Sequence, residues 1–154
     1  RTKGGRDNTY NAPISVNAID WTLKEKNLEF FNYLKDLITF RKEYPEFRIK
    51  DREEVIRALK FVDGTGSCHM LAYTVKSNGG YILVLHNANE SECLMPHSVI
   101  RKHIESNDSR LINDILIRCL LDENGIVRTN GEFKHPHGIQ VPGITSQVYE
   151  LSIK

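Results

Sequence analysis

The chain has 154 residues, 40% hydrophobic and 27% charged, and its 21 Lys and Arg against 20 Asp and Glu leave a formal charge of +1. This composition suits one full core or two small ones and excludes a disordered tail, a collagen or a cysteine scaffold; the length falls short of the roughly 250 residues of a complete (β/α)8 barrel. A charge so near zero gives no footprint for nucleic acid, and no apolar run reaches the roughly 18 residues that would span a membrane.

Residues 1–22 read as loop, rich in Gly, Asn, Asp, Ser and Thr around Pro13. The opening RTKGGRDNTYNA holds no apolar stretch, so it is not an uncleaved signal peptide. It reads like the middle of a longer chain, processed or excised. The loop ends in NAIDWT, where Ile19 and Trp21 alternate with polar neighbours and are expected to anchor it against a core. Residues 27–44 give the clearest helix. Leu28, Phe31, Leu34, Leu37, Ile38 and Arg41 recur at intervals of three and four, and Phe30, Tyr33 and Phe40 widen the stripe. So wide a face needs a large partner surface, such as the outside of a barrel or a second domain. Asn27 is a candidate cap, with Asp20 or Thr22 as alternative earlier starts. Tyr44-Pro45 ends the helix, because proline pushes the residue before it out of the helical region.

A short helix is expected over 52–59, capped by Asp51, with Glu53 and Glu54 in the favourable first turn and Val55, Ile56 and Leu59 inward. The period then changes. Met70 to Val75 and Tyr81 to His86 flank Ser77-Asn78-Gly79-Gly80, a strong hairpin signal. Over 111–121 helix and strand stay evenly balanced: Leu111, Ile112, Ile115, Leu116, Cys119 and Leu120 fit a helical stripe, yet Ile115 and Ile117 suit a strand. Asp122 to Gly125 is a turn in either case, and Val148, Leu151 and Ile153 suggest a last strand closing a sheet. The organisation is therefore helical over 20–60 and mainly β over 68–154, an α+β class.

Chemistry-bearing motifs are few. Cys68, Cys93 and Cys119 have no CxxC spacing, and their apolar neighbours make them buried free thiols. His135-Pro136-His137 has no third ligand at a metal spacing, so no metal site is assigned. His69 and His86 lie near the hairpin, and His97 and His103 carry no motif. Gly64-Thr65-Gly66 lacks the Lys-Ser/Thr of a phosphate loop, and no GxSxG elbow occurs. No catalytic residue and no cofactor is assigned. Asp20, beside the single tryptophan Trp21, reads as a structural anchor. The run Arg6, Asp7, Asn8, Thr9, Tyr10, Asn11 places a guanidinium, a carboxylate, two amides and a phenol together. An aromatic face with planar hydrogen-bonding groups suits a polyhydroxy ligand. Spacing alone favours the alternative, an Asn-rich turn stabilised by its own side chains.

The run RTKGGRDNTYNAPISVNAIDW followed by NLEFFNYLKDLITFRKEYPEFR resembles bacterial pullulanases, starch-debranching enzymes of the α-amylase superfamily, glycoside hydrolase family 13. The likeness is close over residues 1–48, looser over 52–87 and 141–151, and weak over 92–140. It implies that residues 1–60 are the C-terminal end of a catalytic barrel, with a loop after the eighth strand and the eighth outer helix at 27–44. Residues 61–154 would then be a C-terminal antiparallel β-sandwich domain. The family cleaves α-1,6-glucosidic bonds by a retaining double displacement between two carboxylates. By this resemblance those carboxylates precede Arg1, and the chain holds none of them. Arg6, Asp7, Asn8 and Tyr10 would be supporting substrate contacts. The partners implied are the rest of the barrel and an α-glucan such as pullulan or starch. Polysaccharide hydrolases of this kind are commonly secreted, a location to which three unpaired cysteines lend no support. Two other readings stand beside this one: a non-catalytic carbohydrate-binding or interaction module, and a small α+β domain without a ligand. An uncovered apolar side on helix 27–44 would separate the first reading from the last.

Overall fold

The computed structural model describes residues 9–65, 69–128 and 137–154. Helices come first: α1 (Ile14–Asn17), α2 (Thr22–Lys26), α3 (Leu28–Glu43) and, after a 3₁₀ turn over Pro45–Arg48, α4 (Arg52–Ala58). Strands β1 (Leu59–Phe61), β2 (Met70–Ser77), β3 (Gly80–Asn87) and β4 (Cys93–Pro96) follow, then α5 (His97–Asn107). Strands β5 (Ile115–Asp122), β6 (Gly125–Ile126), β7 (Gly138–Val141) and β8 (Thr145–Ile153) complete the order. Six strands form one antiparallel sheet in the order β1-β2-β3-β8-β5-β6, and β4 and β7 pair as a separate ribbon.

The sheet is buried on both faces, and strand periodicity sorts its side chains between them. One face sends Ala72, Leu83, Leu85, Ile117 and Leu151 against Met95, Ile139 and Val141 of the ribbon and Ile100 and Ile104 of α5. The other sends Ile82, Val84, Leu120, Leu121 and Val148 against Phe40, Leu37, Tyr44 and Phe47. The Phe40 ring stacks on Tyr44 at 4.3 Å and lies 5.4 Å from Phe47. Double coverage explains why Tyr81 to Leu85 form an unbroken apolar run without alternation. It also explains 115–121, where the same continuous pattern imitates a helix. That segment is the strand β5, paired with β8 along its length and interrupted by an irregularity between Cys119 and Leu121.

Several expectations hold and several are corrected. Asp51 caps α4, its carboxylate accepting the Glu54 N–H at 2.9 Å. Val55 and Ile56 are exposed rather than inward. Asn27 stands at the N-cap of α3 but makes no side-chain cap bond there, because its carboxamide donates back to the Leu23 carbonyl at 2.8 Å. The hairpin lies where the Asn-Gly signal puts it, with positive φ on Gly79 alone (+89°). The expected last strand is present and completes the sheet by inserting between β3 and β5. Cys93 is buried, Cys119 is half-buried, and both are free thiols; Cys68 lies outside the described residues.

Helix α3 is fastened sideways as well as from below. Asp36 accepts the Ile126 backbone N–H at 3.2 Å and approaches Arg128 at 3.5 Å. Gly125, just before, has φ +109°, and a Cβ built there would meet the Asp36 carboxylate at 2.5 Å. Only glycine allows both the backbone conformation and the close approach. Gly125→Ala is therefore expected to lower stability by about 1–3 kcal/mol. Phe40→Ala should cost about 3–5 kcal/mol. Chemical denaturation of the two variants checks both values.

Candidate functional site

The segment that the sequence marks out, residues 9–22, lies beside the N-terminal half of α3. Arg6, Asp7 and Asn8 lie outside the described residues. Tyr10 is described and sits in the Thr9–Ala12 turn, closed by the Ala12 N–H on the Thr9 carbonyl at 2.9 Å. Its ring is 90% exposed. Asp20 holds the first turn of α2, its Oδ1 accepting the Thr22 N–H at 3.1 Å and the Thr22 hydroxyl at 2.7 Å. Trp21 is 70% exposed and Ile19 is equally bare, so the described residues supply no core that receives these two side chains.

They line a groove instead. Val16, Ile19, Trp21 and Leu23 form one wall and Phe30, Phe31 and Leu34 of α3 the other, around an open volume of about 840 Å³. Lys24 places its ammonium 4.5 Å above the Phe31 ring, a cation–π contact that roofs part of it. Asp20 is the only carboxylate among the lining residues, and Thr22 already occupies it.

The helix explains why this groove is bare. At 3.6 residues per turn, Asp36, Leu37, Phe40 and Tyr44 project toward the sheet, while Phe31, Leu34 and Ile38 project roughly 140° away. The first set packs on β3, β8 and the β5–β6 end. The second set is exposed, Ile38 at 58%. The helix therefore carries two apolar faces, and the described residues cover one of them. Apolar side chains on two sides suit a helix packed between two layers, and the uncovered strip is a candidate interaction surface.

Other polar clusters lie in the sheet region. Thr74 Oγ1 and His103 Nε2 are 2.8 Å apart, beneath α5. Asp63 is close enough to act on the imidazole. The trio resembles a nucleophile, base and acid, but Thr74 is 1% exposed and no substrate reaches its hydroxyl. It serves as a satisfied polar pair inside the core. His86 Nδ1 lies 2.7 Å from the Ser146 hydroxyl, and His69 Nδ1 lies 3.1 Å from Asn89 Oδ1. His137 is exposed; His135 and Pro136 lie outside the described residues. Among the described residues no three His, Cys, Asp or Glu side chains gather as metal ligands, and no helix is long and apolar enough to cross a membrane. Sequence reasoning missed His103, which the α5 stripe of Ile100, His103 and Ile104 would have placed inward. It also missed Asp36, whose partner lies ninety residues away.

Burial pushes the pKa of both His86 and His103 below the ordinary histidine value, and the Asp63 carboxylate partly opposes this at His103. The unfolded chain then binds more protons once pH falls below about 6.5. Stability is therefore fully present above that pH and declines as pH falls through it. Thermal melts from about pH 7.5 to about pH 5 should show a falling Tm, with a shallower fall in His103→Gln. Identical slopes would remove His103 from this account.

No family model matches the sequence. A pullulanase from Bacillus subtilis (strain 168) is 31% identical over 157 residues, an alignment that takes in 99% of this chain and 19% of that protein. Among solved structures, the GBS pullulanase SAP, crystallised in complex with maltotetraose, superposes with a TM-score of 0.64 at 18% identity, covering 88% of this chain and 18% of that one. The chain thus spans about a fifth of the length of the pullulanases it matches. The resemblance to part of a pullulanase, read from residues 1–48 and the segments after them, is borne out along nearly the whole sequence.

Proposed function

We propose that this chain, similar along nearly its whole length to part of a pullulanase, is the C-terminal portion of an α-glucan debranching glycoside hydrolase. In this reading residues 1–60 finish the catalytic barrel and residues 61–154 form a sandwich domain packed against it. Helix α3 is the outer helix shared by the two layers. The observation that carries the proposal is its second apolar face: Phe31, Leu34 and Ile38 remain exposed although Phe40 and Leu37 are already packed. A helix evolved only for this chain would have charged residues there.

The chemistry follows from the resemblance. In the intact enzyme a carboxylate nucleophile attacks the anomeric carbon of an α-1,6 link while a carboxylic acid protonates the leaving oxygen. Both carboxylates would lie on barrel strands outside these 154 residues. The present chain would contribute Arg6, Asp7, Asn8 and Tyr10 at the groove mouth, with the exposed Tyr10 ring covering the apolar face of a glucose unit. Asp20 and Trp21 would anchor the loop, Trp21 filling a pocket in the neighbouring barrel wall.

One substitution tests the interface directly. Leu34→Glu should leave the Tm of the 154-residue chain unchanged or slightly raised, since it replaces an exposed apolar group. In a full-length polypeptide ending in these residues the same change buries a charge and should destabilise by several kcal/mol. Equal effects in the two settings would remove the second layer from the reading. The function is tested by sugar release from pullulan. The full-length polypeptide should produce reducing ends and the 154-residue chain none; turnover by the pure short chain would overturn the assignment of the catalytic groups elsewhere.

A further inference from the structure

The Thr9–Ala12 turn presents Tyr10 to solvent, and one side chain from the next element holds it. Asn17 ends α1 and folds its carboxamide back across the loop. Its Nδ2 donates to the Thr9 carbonyl at 2.8 Å and lies 3.5 Å from the Ala12 carbonyl. The Thr9 oxygen thus accepts twice, from the Ala12 N–H that closes the turn and from Asn17. Helix α1 is a single turn begun at Pro13, with the Val16 N–H on the Pro13 carbonyl and the Ala18 N–H on that of Ile14. It fully buries no side chain, and its turn brings residue 17 back over residues 9–12. Both ends of the turn are therefore referred to the same carboxamide, and Tyr10 projects from between them.

We infer that Asn17 is a positioning residue for glucan binding, acting through the Thr9–Ala12 turn on the Tyr10 ring. This rests on the reading of Tyr10 as a sugar contact. Two donated N–H groups are what the position requires. Alanine lacks them, and aspartate has the same shape but would set a carboxylate against two carbonyl oxygens. Stacking of a ring on a sugar depends on where the ring is held, so a loosened turn weakens binding more than turnover.

The test uses a full-length polypeptide ending in these residues, with pullulan as substrate. Asn17→Ala and Asn17→Asp should each raise KM about three- to ten-fold, the range of one lost hydrogen bond, with kcat little changed. Tyr10→Ala should raise KM at least as much. The double variant should be no worse than Tyr10→Ala alone, because Asn17 has nothing left to position. If Tyr10→Ala raises KM but Asn17→Ala does not, or if the two effects multiply, the role of Asn17 is refuted while that of Tyr10 stands. If Tyr10→Ala leaves KM unchanged, the sugar-contact reading fails and takes the positioning role with it. In the 154-residue chain, amide exchange at Ala12 should speed up in Asn17→Ala while exchange in β3 stays as it was. Faster exchange at both would mean that the substitution unfolds the chain, and the positioning role would be rejected.

Discussion

The setting of helix α3 depends on one packing contact, that of Phe40 with the cluster holding Val84 and Val148. Burial of that ring fixes which way the helix faces the sheet. Once Phe40 and Leu37 point inward, the helical repeat turns Phe31, Leu34 and Ile38 elsewhere. Asp36 on Ile126 prevents the helix from rolling about its axis to hide them. The exposure of the second face is thus a consequence of how firmly the first is held. The groove of residues 16–34 follows from the same constraint, since α1 and α2 continue that bare side.

The two ends of the chain obey different rules. From β1 onward the structure is closed on itself: both faces of the sheet are covered, and the polar groups inside it, Thr74 with His103 and Tyr81 with Asp108, have partners. Burial and the Asp108 hydrogen bond push the Tyr81 hydroxyl up to about 12. Before α3, apolar side chains stand in solvent, and the hydrogen bonds of Asn17, Asp20 and Asn27 described above are local. Elements satisfied only locally take their final placement from what they pack against.

Much of this was legible in the sequence, for reasons that can be stated residue by residue. The breadth of the 27–44 stripe predicted a helix in need of a large partner surface, and Asp51 with Glu53 and Glu54 predicted the start of α4. The Asn78-Gly79 turn located the hairpin. Legibility failed where the determinant was distant. Nothing near Ile115 distinguishes a strand buried on two faces from a helix; β8 decides it, thirty residues on. Asn27 looked like a cap because its type is right, but the competing Leu23 carbonyl was out of view. Ile19 and Trp21 were recognised as side chains needing a core, and the described residues leave that need open. Asn17 escaped notice because its partners are backbone carbonyls, which every residue carries.

The central position of β8 bears on biosynthesis. Until residues 145–153 leave the ribosome, β3 and β5 each keep one unpaired edge, and the two halves of the sheet have no common member. Helix α3 is translated more than a hundred residues earlier, yet the floor that Phe40 rests on is finished by Val148. The helix must therefore wait, with both its oily sides wet, for the last strand to arrive. Folding of this region is then a late event, exposed to aggregation in the interval, and a nascent-chain chaperone would find its customer here.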